Sequence, residues 1–388
     1  MSERSRNLAS VFDALLSHDI ATRGDLVAAS ALSKATVSRL VDDLAAQGLV
    51  VPADLAPHAS KRGRRPEGLT IPRSLGHVIG VSLGLQSTGV LATDIVGREL
   101  AWATEATPTW DSRAAAVSWL ATRIDVASRA SGAPLRGVAV AVPARVLRGV
   151  EISRPPLTFG PLAGTDFALE LAAAVGAPVT FDSDANMALA GLTMEGVVPG
   201  TVGPVLLNMS TVLTVAMRRR DGSSARGFSS AFGDFSLLPF HDPAADSTLG
   251  ALLSTHGLES YASLRGVQLG HVDELWTELD PQADGIRSTF AAALVAALRV
   301  VAVMADPPVV VLAGRLVPLV ELMLPAVAAQ LSEQLAEPPR IITADPSTRG
   351  HSTSAGAALI ARRAVQRSIS SRIAGDAGER PPAVGPTD

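Results

Sequence analysis

Cysteine is absent from all 388 residues. Its absence excludes a disulfide framework, a thiolate metal site and a thiol nucleophile together. Lysine is almost absent too: the chain has only Lys34 and Lys61. Long apolar runs are also missing. The richest, residues 290–313, is broken by Arg299, Asp306 and two prolines, which argues against a membrane span. The opening MSERSRN is charged and leads into an amphipathic pattern, so no secretory leader is visible and a cytoplasmic location is expected. A net charge of −4 rules out a basic nucleic-acid coat, so any nucleic-acid binding must be local. The length exceeds what one core holds, and two or three domains are expected.

What is present begins with residues 33–49, SKATVSRLVDDLAAQGL. Ser33 is placed to cap a helix, because its side-chain oxygen can satisfy an orphan backbone N–H. Val37, Leu40, Val41 and Leu44 recur at i, i+3, i+4 and i+7, building one apolar face, and Gly48 stands where a helix end often turns left-handed. Lys34, Ala35, Ser38, Arg39 and Asp42 fall on the opposite face, and the first turn carries residue types that enter a major groove. Two shorter helical patterns precede this one. Leu8, Val11, Phe12, Leu15 and Leu16 form a stripe, and Thr22 with Asp25 resembles a capping box. The 30–32 link is short enough for a helix-turn-helix, and Val50–Val51 with residues 68–71 are candidate wing strands. Between them HASKRGRRPEG places Lys61, Arg62, Arg64 and Arg65 around Gly63, an arm suited to a narrow minor groove. A solvated linker is the alternative for the arm, and a protein-interaction domain the alternative for the triplet. The candidate DNA contacts are Ser33, Lys34, Thr36, Ser38, Arg39, Lys61, Arg62, Arg64 and Arg65.

From His77 the pattern changes to strands at 78–83, 88–94 and 99–104, a helix at 113–131, a buried strand at 137–142 and a short strand at 178–181. A helix at 166–175, strands at 205–209 and 212–217, a long apolar helix at 291–305 and a buried strand at 309–312 follow. Strands alternating with helices in two similar halves predict an α/β body with two lobes. The division read from the pattern is a winged helix over 1–72, a small lobe over 73–188, a large lobe over 189–365 whose last helix returns to the small lobe, and a disordered tail over 366–388.

The order of VIGVSLG (78–84), GVAVAVP (137–143), VTFDSDANMALAG (179–191), GFSSAFGDFSLL (227–238) and GLESYAS (257–263) behind a helix-turn-helix resembles the ROK family (repressors, open reading frames and sugar kinases). The organisation is similar to its N-acetylglucosamine and xylose repressors. The resemblance implies an N-terminal winged helix followed by an actin-like, sugar-kinase-like body. It further implies that Asp184 matches the kinases' catalytic aspartate, that Ser183 replaces an asparagine beside it, and that Asn186 is retained. Asp234 stands for a family glutamate, and Glu259 matches a second, sugar-contacting one. Ser183, Asp184, Asn186, Asp234 and Glu259 are therefore the expected effector contacts, converging on one cleft.

The family's kinase chemistry is not expected. Its first phosphate turn, Asp-x-Gly-Gly-Thr, corresponds to Ser82–Leu83–Gly84–Leu85–Gln86, and its second, Gly-Thr-Gly-Ile-Gly, to the glycine-free 210–214. Side chains there obstruct the close backbone approach that phosphate needs. The zinc histidine falls on Leu237 and the zinc cysteines on Gly250, Leu252 and Gly257. No metal, no cofactor and no catalytic residue are expected. The expected function is a repressor that binds a double-stranded DNA operator as a homodimer or dimer of dimers and senses a sugar-like metabolite, away from any membrane. A sugar kinase with a fused DNA-binding domain, and a regulator whose body serves only assembly, are the alternatives.

Overall fold

The computed structural model describes residues 2–375 except 56–66, 199–202, 220–221, 228–231, 243–244 and 279. The chain opens with α1 (Glu3–Leu16), β1 (Ala21–Thr22), α2 (Arg23–Ser30), α3 (Lys34–Ala46), β2 (Val51–Ala53) and β3 (Gly68–Thr70). The local signals act as their chemistry requires. Thr22 and Asp25 form a reciprocal capping box, Ser33 accepts from Thr36 N, and Gly48 adopts φ +70°. Val11, Phe12, Leu26, Val37 and Leu44 are fully buried between the three helices. Each large side chain withdrawn in this way contributes about 1.5–3 kcal/mol. The antiparallel order β1-β3-β2 makes the wing.

The first lobe contains β4 (His77–Leu83), β5 (Ser87–Asp94), β6 (Glu99–Ala106), α4 (Arg113–Ser128), β7 (Leu135–Val142), β8 (Arg145–Leu147), β9 (Glu151–Ser153), α5 (Asp166–Val175) and β10 (Val179–Ser183). Its five-stranded sheet runs β10-β7-β4-β5-β6, with the meander β4–β6 antiparallel and β4, β7 and β10 parallel. After α6 (Asp184–Met194) come β11 (Val205–Met209), β12 (Leu213–Met217), β13 (Pro239–Asp242), β14 (Ala245–Thr248), α7 (Leu249–Leu252), α8 (Thr255–Leu264), α9 (Glu274–Thr277), α10 (Asp284–Ala305), β15 (Val309–Ala313), α11 (Val317–Gln334), β16 (Arg340–Thr343) and α12 (Arg349–Ala374). The second sheet, β12-β11-β15-β16, pairs one hairpin with two parallel strands, so the two halves are built alike. The apolar segment Pro281–Ala305 is long enough to cross a membrane by length and composition. Its Phe290, Leu294 and Leu298 are buried in the second core, and Arg287 is buried with hydrogen bonds to the Leu275 and Asp280 carbonyls.

Helices α6 and α12 cross between the sheets. The turn of α12 facing α6 reads STSAGAA, and Ser352 to Ala358 are all buried. A Cβ on Gly356 would lie 1.8 Å from the Met187 carbonyl oxygen, and one on Gly191 would lie 1.8 Å from that of Ser352. On its other side α12 meets β4, where a Cβ on Gly80 would lie 2.0 Å from the Ser354 oxygen. The lobe boundary expected at 188 therefore falls inside α6. That helix buries Met187 with the first sheet, and Ala185, Leu189 and Leu192 with the second.

The expected disordered tail requires a correction over residues 366–374. Helix α12 continues to Ala374, and Ile369 is buried in the winged-helix core with Val365 and Ile373 packed beside it. Ser370 Oγ bonds Asp13 on α1, and Gln366 Nε2 donates to the Ile95 carbonyl. Residues 376–388, the rest of that expectation, lie outside the described residues. The turn after β5 completes the seam. Asp94 Oδ1 accepts from the backbone N–H groups of Val96, Gly97 and Arg98, while Arg98 reaches across to Asp19 and Thr70.

Gly356→Ala should lower the unfolding free energy by about 1–3 kcal/mol or more, because its methyl group meets backbone rather than a movable side chain. Gly285→Ala, in α10 with nothing within 4 Å of its Cβ, should instead be neutral or stabilise by about 0.4–1 kcal/mol. Urea unfolding of the two variants checks both.

Candidate functional site: a recognition helix and two adjoining cavities

Helix α3 presents Lys34 and Arg39 exposed, with Thr36 and Ser38 half-buried beside them. The Ser33 hydroxyl is engaged at the cap, within 2.9 Å of the Thr36 hydroxyl. Asp42 is held by Arg23 at 3.2 Å, and Arg23 also binds Glu67 at 2.6 Å, tying the helix to the wing. Lys61, Arg62, Arg64 and Arg65 lie outside the described residues.

Two cavities flank the start of α6, where β10 delivers Asp182 and Ser183 to the helix N-terminus. The first holds about 310 Å³ and is lined by Ser183, Asn186 and Asp234, three of the expected effector contacts. Asp182, Arg145, Arg154 and Arg226 join them there. The second holds about 320 Å³ and is lined by Asp184, by Leu85 and Gln86 of the first family phosphate turn, by Ser210 and Val212 of the second, and by Arg349. The two altered turns thus face one another across a single cleft.

Two of the expected contacts require correction. Asp184 lines the second cavity and not the first, and its carboxylate is already committed. It accepts from Ala185 N at 2.8 Å, Asn208 Nδ2 at 2.9 Å and Thr214 Oγ1 at 3.2 Å. Arg349 Nη2 lies 3.7 Å away, and Nη1 of the same guanidinium donates to Ser210 Oγ. Burial pushes the Asp184 carboxyl above the usual carboxylate range, opposed by Arg349 and by these hydrogen bonds. Burial likewise lowers the Arg349 guanidinium, with Asp184 opposing. Glu259 lines neither cavity. Its carboxylate accepts from Val272 N at 3.1 Å and sits 3.5 Å from His256 Nδ1, which binds the 266–272 loop to α8.

The family's zinc and nucleotide do not fit the residues present. Leu237, Gly250, Leu252 and Gly257 offer no side-chain donor. A Cβ on Gly250 would lie 2.7 Å from the Ser236 oxygen, and one on Gly257 2.4 Å from that of Ala251, so the loop is packed shut where ligands would point. Among the described residues no group of three or more His, Asp or Glu is placed to hold a metal. In the second cavity, Arg349 engages the one carboxylate a phosphoryl-transfer reaction would use as base, and Leu85 and Val212 line the cleft where glycine backbone would approach phosphate.

Asp182 and the four arginines were not among the residues singled out from the sequence. Asp182 carried a signal, since it lies two positions before Asp184 in the same motif. The arginines carried none. Arg349 reaches Ser210 from 139 residues away, and only the fold brings them together.

Arg349→Gln tests the pairing. Arg349 is a third exposed on its side chain, so the loss should be about 2–3 kcal/mol, below that for a fully buried pair. With the cation gone, burial raises the native-state pKa of Asp184 further above its unfolded value. The native state then holds the proton more tightly, and stability is greatest below the unfolded pKa and lost as pH rises through the native one. The variant's deficit against the parent should therefore be largest at neutral pH and narrow on acidification, as measured by urea melts across pH.

No family model matches the chain. It is 33% identical over 92 residues to a putative xylose repressor of Caldicellulosiruptor sp. (strain Rt8B.4), a stretch covering 24% of this chain and 22% of that protein. The chain thus spans about a fifth of the length of the curated relatives it matches. Among solved structures, a ROK-family transcriptional regulator, a homologue of the E. coli MLC protein, superposes with a TM-score of 0.71 at 14% identity. That superposition covers 96% of this chain and 99% of the regulator. A ROK hexokinase from Thermus thermophilus superposes with a TM-score of 0.62 at 23% identity, over 75% of this chain and 99% of its own. The kinase match leaves about a quarter of the chain uncovered, and the regulator match takes in nearly all of it. The fold expected from the sequence is borne out: a winged-helix head on a two-lobed body, the architecture of the ROK-family regulator structure.

Proposed function

We propose that the chain is a DNA-binding transcriptional repressor whose body senses a sugar or related metabolite and has lost phosphoryl transfer. The observation that carries this reading is a combination within one molecule. Lys34 and Arg39 stand exposed on a capped recognition helix, while Arg349 engages Asp184 in the cleft where a kinase would hold nucleotide. The head comprises residues 1–72, and the lobes meet at α6, with α12 returning to the first. The first cavity is the effector site, built on Ser183, Asn186 and Asp234. The basic arm Lys61, Arg62, Arg64 and Arg65 adds phosphate or minor-groove contacts. The repressor acts in the cytoplasm as a homodimer or a dimer of dimers, whose paired recognition helices read half-sites about one helical turn, or a multiple of it, apart. Ligand binding shifts the balance between lobe arrangements and with it that spacing. The name of the xylose repressor relatives supports both the repression and the sugar.

A kinase fused to a DNA-binding domain is the second reading, favoured by the match to the hexokinase body. Protein incubated with ATP, magnesium and a hexose panel should release no ADP above background, and sugar-dependent turnover would reinstate the kinase.

For DNA, Lys34→Ala or Arg39→Ala should each cost about 1–3 kcal/mol of specific affinity where the side chain reads a base. Neutralising Arg62, Arg64 and Arg65 should weaken binding across all sequences and flatten its salt dependence. Gel shifts with a selected operator check this. Unimpaired binding by the Lys34/Arg39 double variant would remove the recognition helix from the interface.

A further inference from the structure

The first cavity carries more positive charge than a neutral sugar calls for. Arg145, Arg154 and Arg226 line it against two carboxylates, Asp182 and Asp234. Arg145 Nη2 binds Asp234 at 2.7 Å, and Arg226 Nη2 binds Asp182 at 2.5 Å. Arg154 makes no ion pair among the described residues, so three cations against two anions leave one positive charge.

The acids are also occupied. Asp182 Oδ1 accepts from Ser183 N at 2.8 Å and from Asn186 Nδ2 at 2.9 Å, and Asp234 Oδ1 accepts from Ser236 Oγ at 2.5 Å. In a neutral-sugar site, carboxylates are the acceptors for ligand hydroxyls. Here they are spent on arginines and local donors. What remains on offer is donors: the free N–H groups of three guanidiniums and the Ser183 hydroxyl, with the Asn186 side-chain oxygen as an acceptor. Pro143, Pro155, Val212 and Phe232 supply apolar walls.

We propose that this cavity takes a sugar acid, a monoanionic uronate or aldonate. Its carboxylate is held by Arg154 together with one of the paired arginines, and its hydroxyls reach Ser183 and Asn186. This deepens the sensor reading above and rests on it. Guanidinium forks match a carboxylate in geometry as well as charge. The single uncompensated positive charge selects a monoanion, since a phosphate dianion would leave one negative charge unbalanced among apolar walls. A volume of about 310 Å³ accommodates one monosaccharide unit.

The test is thermal shift on the full chain with D-glucuronate, D-galacturonate and D-gluconate, alongside glucose, xylose and glucose 6-phosphate. At least one acid should raise Tm and alter operator binding in a gel shift, with its neutral counterpart inert. Arg154 is exposed and makes no ion pair among the described residues, so Arg154→Gln should keep the apo Tm. It should weaken the acid's Kd by about tenfold or more, the loss of one charge-assisted contact. Stabilisation by the neutral sugars or by glucose 6-phosphate alone would overturn the sugar-acid inference and leave the sensor reading standing. Unchanged acid affinity in Arg154→Gln would also overturn the inference. No shift with any of the six compounds would overturn the inference and the sensor reading together.

Discussion

The architecture depends on one close approach, the backbone-to-backbone crossing of α6 and α12. Gly191 and Gly356 remove the side chains that would hold the helices apart, and small residues from Ser352 to Ala358 let α12 press at once on α6 and on Gly80 of β4. Packing this tight is intolerant of even one methyl group. It also fixes where the chemistry lies. Ser183, Asp184 and Asn186 start α6, and Arg349 starts α12, so the crossing sets the distance between the two cavities and places Arg349 opposite Asp184.

The second cavity is spanned by an ion pair internal to the chain. Its guanidinium reaches Asp184 and Ser210 from the far end of the sequence. Asp184 accepts from Ala185 N, Asn208 Nδ2 and Thr214 Oγ1, so removing it would withdraw an acceptor from three donors in a region where unpaired polar groups are costly.

Much of the head was legible because its signals are local. The Ser33 cap, the Thr22–Asp25 box, the left-handed Gly48 and the i, i+3, i+4 apolar stripes each act within a few residues. The main strands of the body were legible as apolar runs bounded by turns, but the order in which the sheets assemble them, and the edge strand β16, were not. What escaped was non-local. The motif around residues 182–186 located Asp184 but not its partners, so the carboxylates expected to meet in one cleft are divided: Asp182 and Asp234 in the first cavity, Asp184 in the second, Glu259 in neither. The end of α12 looked like a tail because its composition is polar. Its helix is held by tertiary contact, with Ile369 and Ile373 inserted into a core 350 residues earlier in the chain.

That same helix has a mechanical consequence. A rigid rod fixed at one end multiplies small rotations at the other. From Arg349 to Ile369 the axis spans about 30 Å at about 1.5 Å per residue, so a tilt of about 5° at the cleft moves the far end by about 3 Å. Gln366 and Ser370 pin that far end to the turn after β5 and to α1. The head has little slack to absorb such a displacement, because the last helix of the body is also a structural member of the head's core.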